Sequence, residues 1–106
     1  MVTLKDFQNF EFRTAKILEV QPHPNADRLY VLKVEVGEAH KQLVAGIRAH
    51  YTPEELVGKT VVVINNLEPA VIRGVESQGM LLAAGDGEKV VILTPEKEIK
   101  SGAQVK

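Results

Sequence analysis

Arg73-Gly74-Val75-Glu76-Ser77-Gln78-Gly79-Met80-Leu81-Leu82-Ala83-Ala84 begins as a polar loop and ends as an apolar run, with Gly79 at the change. A glycine such as Gly79 can take backbone angles closed to other residues and can let a second backbone or a ligand come close. Met80 to Ala84 is too short for a typical helix and runs into the breaker Gly85-Asp86-Gly87. It therefore reads as a buried strand, with Met80 pointing into the core. Ser77 and Gln78 fall where a loop feeds that strand. Either they satisfy a turn, or they present hydrogen-bonding groups to a ligand, as residues on loops of a rigid scaffold do.

Upstream, Lys59–Asn65 contains Thr60-Val61-Val62-Val63-Ile64, a β-branched run expected to be a central, buried strand. Leu67–Gly74, with Pro69, is expected to be a loop. Before the strand, Thr52, Pro53 and Glu55 form a capping box with proline at the first helical position, and Gly58 stops the short helix. Arg28–Val36 alternates, with Tyr30, Leu32, Val34 and Val36 on one face. Gly37–His40 turns it back into Lys41–Ile47 as a hairpin. Phe10–Val20 is a strand that loses register near Thr14–Ile17, as a bulge makes it do. Residues 1–9 form a helical turn capped by Thr3, Gln21–Asp27 is a Pro- and Asn-rich loop, and Lys89–Leu93 is a further strand before a polar tail. Three strands, a short helix and two strands is the order of an all-β OB-fold, a five-stranded Greek-key barrel with its helix between strands 3 and 4. Its oligonucleotide site lies across strands 2–3 and two flanking loops.

A length of 106 residues suits one domain, 1–106. Hydrophobic residues at 44% and charged residues at 25% are ordinary for a soluble globular protein. No apolar run approaches the ~20 residues of a membrane span, and the N-terminus lacks a secretory pattern. With no cysteine, disulfides and thiolate metal sites are excluded, in keeping with a cytoplasmic protein. The net charge of −1 is unusual for a nucleic-acid binder, so any such site must come from local clustering of Lys and Arg.

Catalysis finds no support. There is no nucleophile elbow, P-loop or zinc-protease motif, and His23, His40 and His50 are scattered. His23 with Asp27 is too sparse for a metal site, and no cofactor motif is present. For RNA, Lys33 and Lys41 are expected on the outward side of the hairpin and Arg28 and Arg48 at loop edges. Arg73, Ser77 and Gln78 come from the loop before the last barrel strand. Arg and Lys would pair with phosphates, while Ser77 and Gln78 would hydrogen-bond bases or riboses. His50 and Tyr51 are available rings, whereas Tyr30 belongs to the core. A plain solvated charge explains Arg28, Lys33 and Lys41 equally well.

Ser77–Ala84, together with Asn66-Leu67-Glu68-Pro69, Arg73-Gly74 and His23-Pro24-Asn25-Ala26-Asp27-Arg28-Leu29, resembles the signature of a tRNA-binding domain. That domain occurs as a free-standing protein, at the C-terminus or as the beta subunit of methionyl-tRNA synthetase, and in endothelial-monocyte-activating-polypeptide-like cofactors. The resemblance implies an OB-fold that binds tRNA by shape and backbone, has no catalytic activity, assists a synthetase in cis or in trans, and forms a homodimer. The chain departs from the pattern in two places. Ala15 replaces a glycine at the bend of the first strand. Glu68-Pro69-Ala70-Val71 stands where the family often carries Pro-Arg-Lys, so at least two positive charges are missing. Two other readings stay open: an export-type chaperone binding unfolded peptides, and an assembly module that docks a synthetase without touching RNA.

Overall fold

The computed structural model describes residues Met1–Lys106. A short helix, α1 (Leu4–Phe7), leads in, with Thr3 and Asp6 forming a reciprocal cap. The long strand β1 (Phe12–Pro22) follows, then β2 (Tyr30–Val36) and β3 (Ala39–Ala45). Helix α2 (Pro53–Leu56) and β4 (Thr60–Ile64) come next, then the hairpin β5 (Ala70–Ile72) and β6 (Val75–Ser77). The chain ends with β7 (Met80–Leu81), a second small hairpin of β8 (Ala83–Gly85) and β9 (Val90–Ile92), and β10 (Gln104–Val105).

The main antiparallel sheet runs β3-β2-β1-β4-β7, with β10 added to β1. It curls until its two edges meet, giving the five-stranded barrel order expected from the sequence. The core is one cluster that includes Ile17, Leu32, Val34, Leu43, Leu56, Val61 and Val63, all shut off from solvent. Leu56 comes from α2, whose reciprocal Thr52–Glu55 cap is present as the sequence predicts. Tyr30 lies in the core, and its hydroxyl donates to the Tyr51 carbonyl at 2.6 Å.

The register break in β1 falls between Ile17 and Glu19 rather than at Thr14–Ile17. Ala15 sits before it, paired with Val61 and wholly buried, so the barrel accommodates a methyl group at this position. β4 is not buried on both faces: Val61 and Val63 point inward, while Val62 and Ile64 are half-buried outside. Leu67–Gly74 is not simply a loop, because Ala70–Ser77 folds into a hairpin whose two-residue turn is Arg73-Gly74. Both turn residues have positive φ, 52° and 89°. Such a turn matches the right-handed twist of paired strands, but it is a costly conformation for arginine.

The edges of the barrel close through two side-chain bonds and one backbone bond. β3 would have free amides at Gln42 and Val44. Gln42 N–H donates to Gln78 Oε1 at 2.8 Å and Val44 N–H to Ser77 Oγ at 3.0 Å, while Gln78 N–H donates to the Gln42 carbonyl at 2.8 Å. The Ser77 hydroxyl donates onward to the Gly79 carbonyl at 3.0 Å. Ser77 and Gln78 thus supply acceptors where the carbonyls of a neighbouring strand would sit. Ser77→Ala should cost about 1–3 kcal/mol, because it strands a shielded amide. Urea unfolding at unchanged m-value measures this.

Met80 corrects the sequence-based expectation. Pairing places it beside Ile64 on the outer face, 49% exposed, while Leu81 points inward at 9%. Phe12 pairs with Ile64 on one side and Val105 on the other, so Val105, Phe12, Ile64 and Met80 make one apolar row across the outside of the sheet. Phe7 and Phe10 stack on Phe12 with ring centroids 5.3 and 6.0 Å away. The expected single strand Met80–Ala84 is also split. β7 stays on β4, and β8 leaves the sheet to pair with β9.

Candidate nucleic-acid interface

One end of the barrel gathers arginines. The loop from Pro22 to Leu29 closes at its neck through His23 N–H to the Leu29 carbonyl at 3.0 Å. It lies against the tip of the β5–β6 hairpin. Asn25 Nδ2 donates to the Arg73 carbonyl at 3.2 Å, and the Arg73 guanidinium donates back to the Asn25 carbonyl at 2.9 Å. Arg48, just past β3, reaches the same loop and donates to the Ala26 carbonyl at 3.4 Å. Asn25, Asp27, Arg28, Leu29 and Arg73 line an open cavity of about 410 Å³ at this seam. Arg28 and Arg73 are exposed and Arg48 is half-buried, so three guanidinium groups belong to one composite loop surface. Each engaged guanidinium spends one of five donors and keeps the rest for a phosphate.

The remaining expected contacts separate from this cluster. Lys33 is exposed on the outer face of β2, directly across from Glu19. On the same two strands Lys16 faces Glu35, so each lysine of this pair of strands has a carboxylate opposite it. Lys33 lies four residues past Leu29, roughly 13 Å along the strand. Lys41 is not outward. It pairs with Val34, which places its stem on the inner side, and its ammonium donates to the Asn65 carbonyl at 2.6 Å. The sequence held the signal: Leu43, Ala45 and Ile47 set the inward phase of this strand, and Lys41 shares it.

Asn65 belongs to a second polar cluster, with Glu11 accepting from its amide at 2.8 Å and from Arg13 Nε at 3.1 Å. These bonds, the Asn65 one first, hold the Glu11 carboxyl below its usual range. Its small stabilising contribution is therefore present above the ordinary carboxylate pKa and lost as the pH falls through the lowered one. Ser77, at 4% exposure, has its hydroxyl consumed on both sides by the barrel closure, and the Gln78 carbonyl oxygen is likewise engaged. The reason is that β3 lacks a full neighbouring strand here, and these side chains fill the gap. Tyr51 is a brace as well. Its hydroxyl accepts from Ile92 N–H at 3.1 Å, and Lys59 lies 5.8 Å from its ring centroid. His50 remains exposed beside it.

His23, read from sequence as part of a weak metal pair, has another place. It is 3% exposed, and both ring nitrogens are bonded to the chain: Nδ1 accepts from Asn25 N–H and Nε2 meets the Ile72 carbonyl, each at 2.9 Å. Neither nitrogen is left for a ligand. The sequence could not reveal the Ile72 partner, which lies 49 residues away.

The family model described as "Putative tRNA binding domain" matches residues 12–104. Methionine–tRNA ligase from Thermococcus kodakarensis is 57% identical over 99% of this chain, although the match covers 14% of the ligase. Among solved structures, a MetRS related protein from Pyrococcus horikoshii superposes with a TM-score of 0.93 at 31% identity, covering 100% of this chain and 98% of that one. The CsaA chaperone protein from Picrophilus torridus superposes equally well, with a TM-score of 0.93 at 29% identity and full coverage of both chains. On the family match over nearly its whole length, this chain belongs to the tRNA-binding domain family.

Proposed function

We propose that this chain is a non-catalytic tRNA-binding module that assists an aminoacyl-tRNA synthetase, methionyl-tRNA synthetase in the first instance, in the cytoplasm. The observation that carries the reading is the arginine-bearing seam at one end of the barrel: Arg28 and Arg73 sit on a loop and a hairpin bonded to each other, and Arg48 reaches the same loop from just past β3. Guanidinium groups set in this way pair with phosphates and carry no base code, so the module grips tRNA by backbone and shape. Lys33, with Glu19 opposite it on the neighbouring strand, contributes at the margin, and the Lys41 ammonium is engaged by the Asn65 carbonyl. A non-catalytic role is supported by the spent state of two reactive groups: the Ser77 hydroxyl and both nitrogens of His23 are bonded within the fold. By raising the local concentration of tRNA, a weak site of this kind helps an attached or associated enzyme.

The reading is tested by fluorescence anisotropy with bulk tRNA across a salt series. Three contacts at roughly −0.7 each predict a log–log slope of about −2. An excess of unfolded peptide should leave the anisotropy unchanged. Salt-indifferent binding, or competition by the peptide, contradicts the reading, and the second result favours peptide chaperoning. Arg73→Asn gives a sharper version of the same test. Asparagine accepts positive φ better than arginine does, so the melting temperature should hold or rise while tRNA affinity falls.

We also propose a homodimer, supported by the outer row Val105–Phe12–Ile64–Met80 and the adjoining Leu4, Phe7 and Phe10. Of these, Leu4, Phe7, Phe10 and Met80 are left exposed on one chain. Light scattering should give twice the monomer mass, and Phe10→Asp with Met80→Lys should give the monomer. A monomeric parent at tens of micromolar, an order suited to modest interfaces, contradicts it.

A further inference from the structure

The Pro22–Leu29 loop has little of its own to hold it in place. Pro24, Asn25, Asp27 and Arg28 are exposed, and its internal backbone bonds are the neck at Leu29 and a 3.4 Å bond from Leu29 N–H to the Ala26 carbonyl. Its position against the hairpin comes from three side-chain bonds. Those of Asn25 and Arg73 are exposed, where competition with water leaves each worth little. The His23 bond to Ile72 is shielded from solvent, with the imidazole 3% exposed, and a shielded bond counts for more. The tautomer follows from the geometry. Nδ1 accepts from Asn25 N–H, so the proton resides on Nε2, which donates to the Ile72 carbonyl.

One ring therefore does two jobs. Through Nδ1 it folds its own loop so that Asn25 faces the hairpin. Through Nε2 it holds Ile72, the residue before Arg73. We propose that His23 is the positioning residue of the tRNA site, bolting the Arg28-bearing loop to the Arg73-bearing hairpin so that the arginines meet phosphates as one prearranged unit. The inference rests on the tRNA-binding reading above. It adds a role for a residue that touches no RNA, and prearrangement raises affinity by reducing what must be ordered on binding.

The two amide side chains separate the two jobs. Asparagine at 23 offers an oxygen near the place of Nδ1 and keeps the bond from Asn25 N–H, as in an Asx turn, but it is too short to reach Ile72. Glutamine extends its amide nitrogen to about the place of Nε2 and restores the bridge. His23→Asn, His23→Gln and Arg73→Asn are compared with the parent by tRNA anisotropy, well below every melting midpoint, and by amide hydrogen exchange over residues 70–77. His23→Asn should bind tRNA about five- to tenfold more weakly, as loosening two arginine side chains costs, and should speed exchange in the hairpin. His23→Gln should recover most of both. If His23→Asn binds like the parent while Arg73→Asn binds weakly, the positioning role is overturned and the site stands. If Arg73→Asn also binds like the parent, the site reading itself fails and takes the positioning role with it. Unchanged exchange in His23→Asn, or glutamine no better than asparagine, overturns the bolt whatever the affinities.

Discussion

Gly79→Ala should destabilise the protein by about 1–3 kcal/mol or more, the range for forcing an extra methyl into a packed site. A Cβ at this position would lie 2.8 Å from the Ile64 carbonyl oxygen and 3.2 Å from Leu43 Cδ2. The first neighbour is backbone of β4 and cannot step aside without disturbing the pairing of Ile64 with Met80. The second is a core side chain, 1% exposed. Gly79 does not have positive φ, so backbone strain is not the cause. What matters is the close approach of one strand to another where the barrel shuts. The Gly79 carbonyl also receives the Ser77 hydroxyl, so a shift here loosens the closure on β3 as well. Thermal and urea unfolding measure the loss. A melting temperature unchanged in Gly79→Ala would mean that the barrel is open at this seam.

Leu81→Ala should cost about 2–5 kcal/mol, whereas Met80→Ala should change the stability of the single chain by no more than about 0.5 kcal/mol. The contrast follows from register alone. Successive residues of a strand face opposite sides, so one of this pair must be core and the other surface. Leu81 pairs with Val63 on the inner face, and Met80 pairs with Ile64 on the outer face. If the apolar row is a dimer contact, the cost of Met80→Ala appears as a fall in melting temperature only at concentrations where the dimer is populated. Melting both variants over a dilution series separates these effects. Equal losses from the two substitutions would contradict the register.

Met80 also shows why the sequence could be read only in part. Met80-Leu81-Leu82 is apolar on both faces because one face meets the core and the other an exposed apolar row, so periodicity gives no phase. Where the two faces differ, phase is legible: Tyr30, Leu32, Val34 and Val36 alternate with half-buried or exposed neighbours, and Thr52-Pro53-Glu54-Glu55 fixes the start of α2 through local bonds. The barrel order follows from such local signals. The site was less legible, because its geometry depends on bonds between residues far apart in the chain. Arg28 and Arg73 were readable as exposed cations in turn-rich segments. That Asn25 and His23 join the segments carrying them is a tertiary fact. Ser77 and Gln78 stood out through the loop-to-strand motif they share with the family, and their place in the fold is the closure beside β3.

Whether the arginine seam holds tRNA is decided by the double variant Arg28→Gln with Arg73→Asn. Anisotropy with bulk tRNA should show a log–log salt slope lower in magnitude by about 1.4, two contacts at roughly 0.7 each, and much weaker binding at low salt, with the melting temperature kept. A folded double variant with the parent's slope and affinity would place the RNA elsewhere on the barrel and overturn the seam as its site.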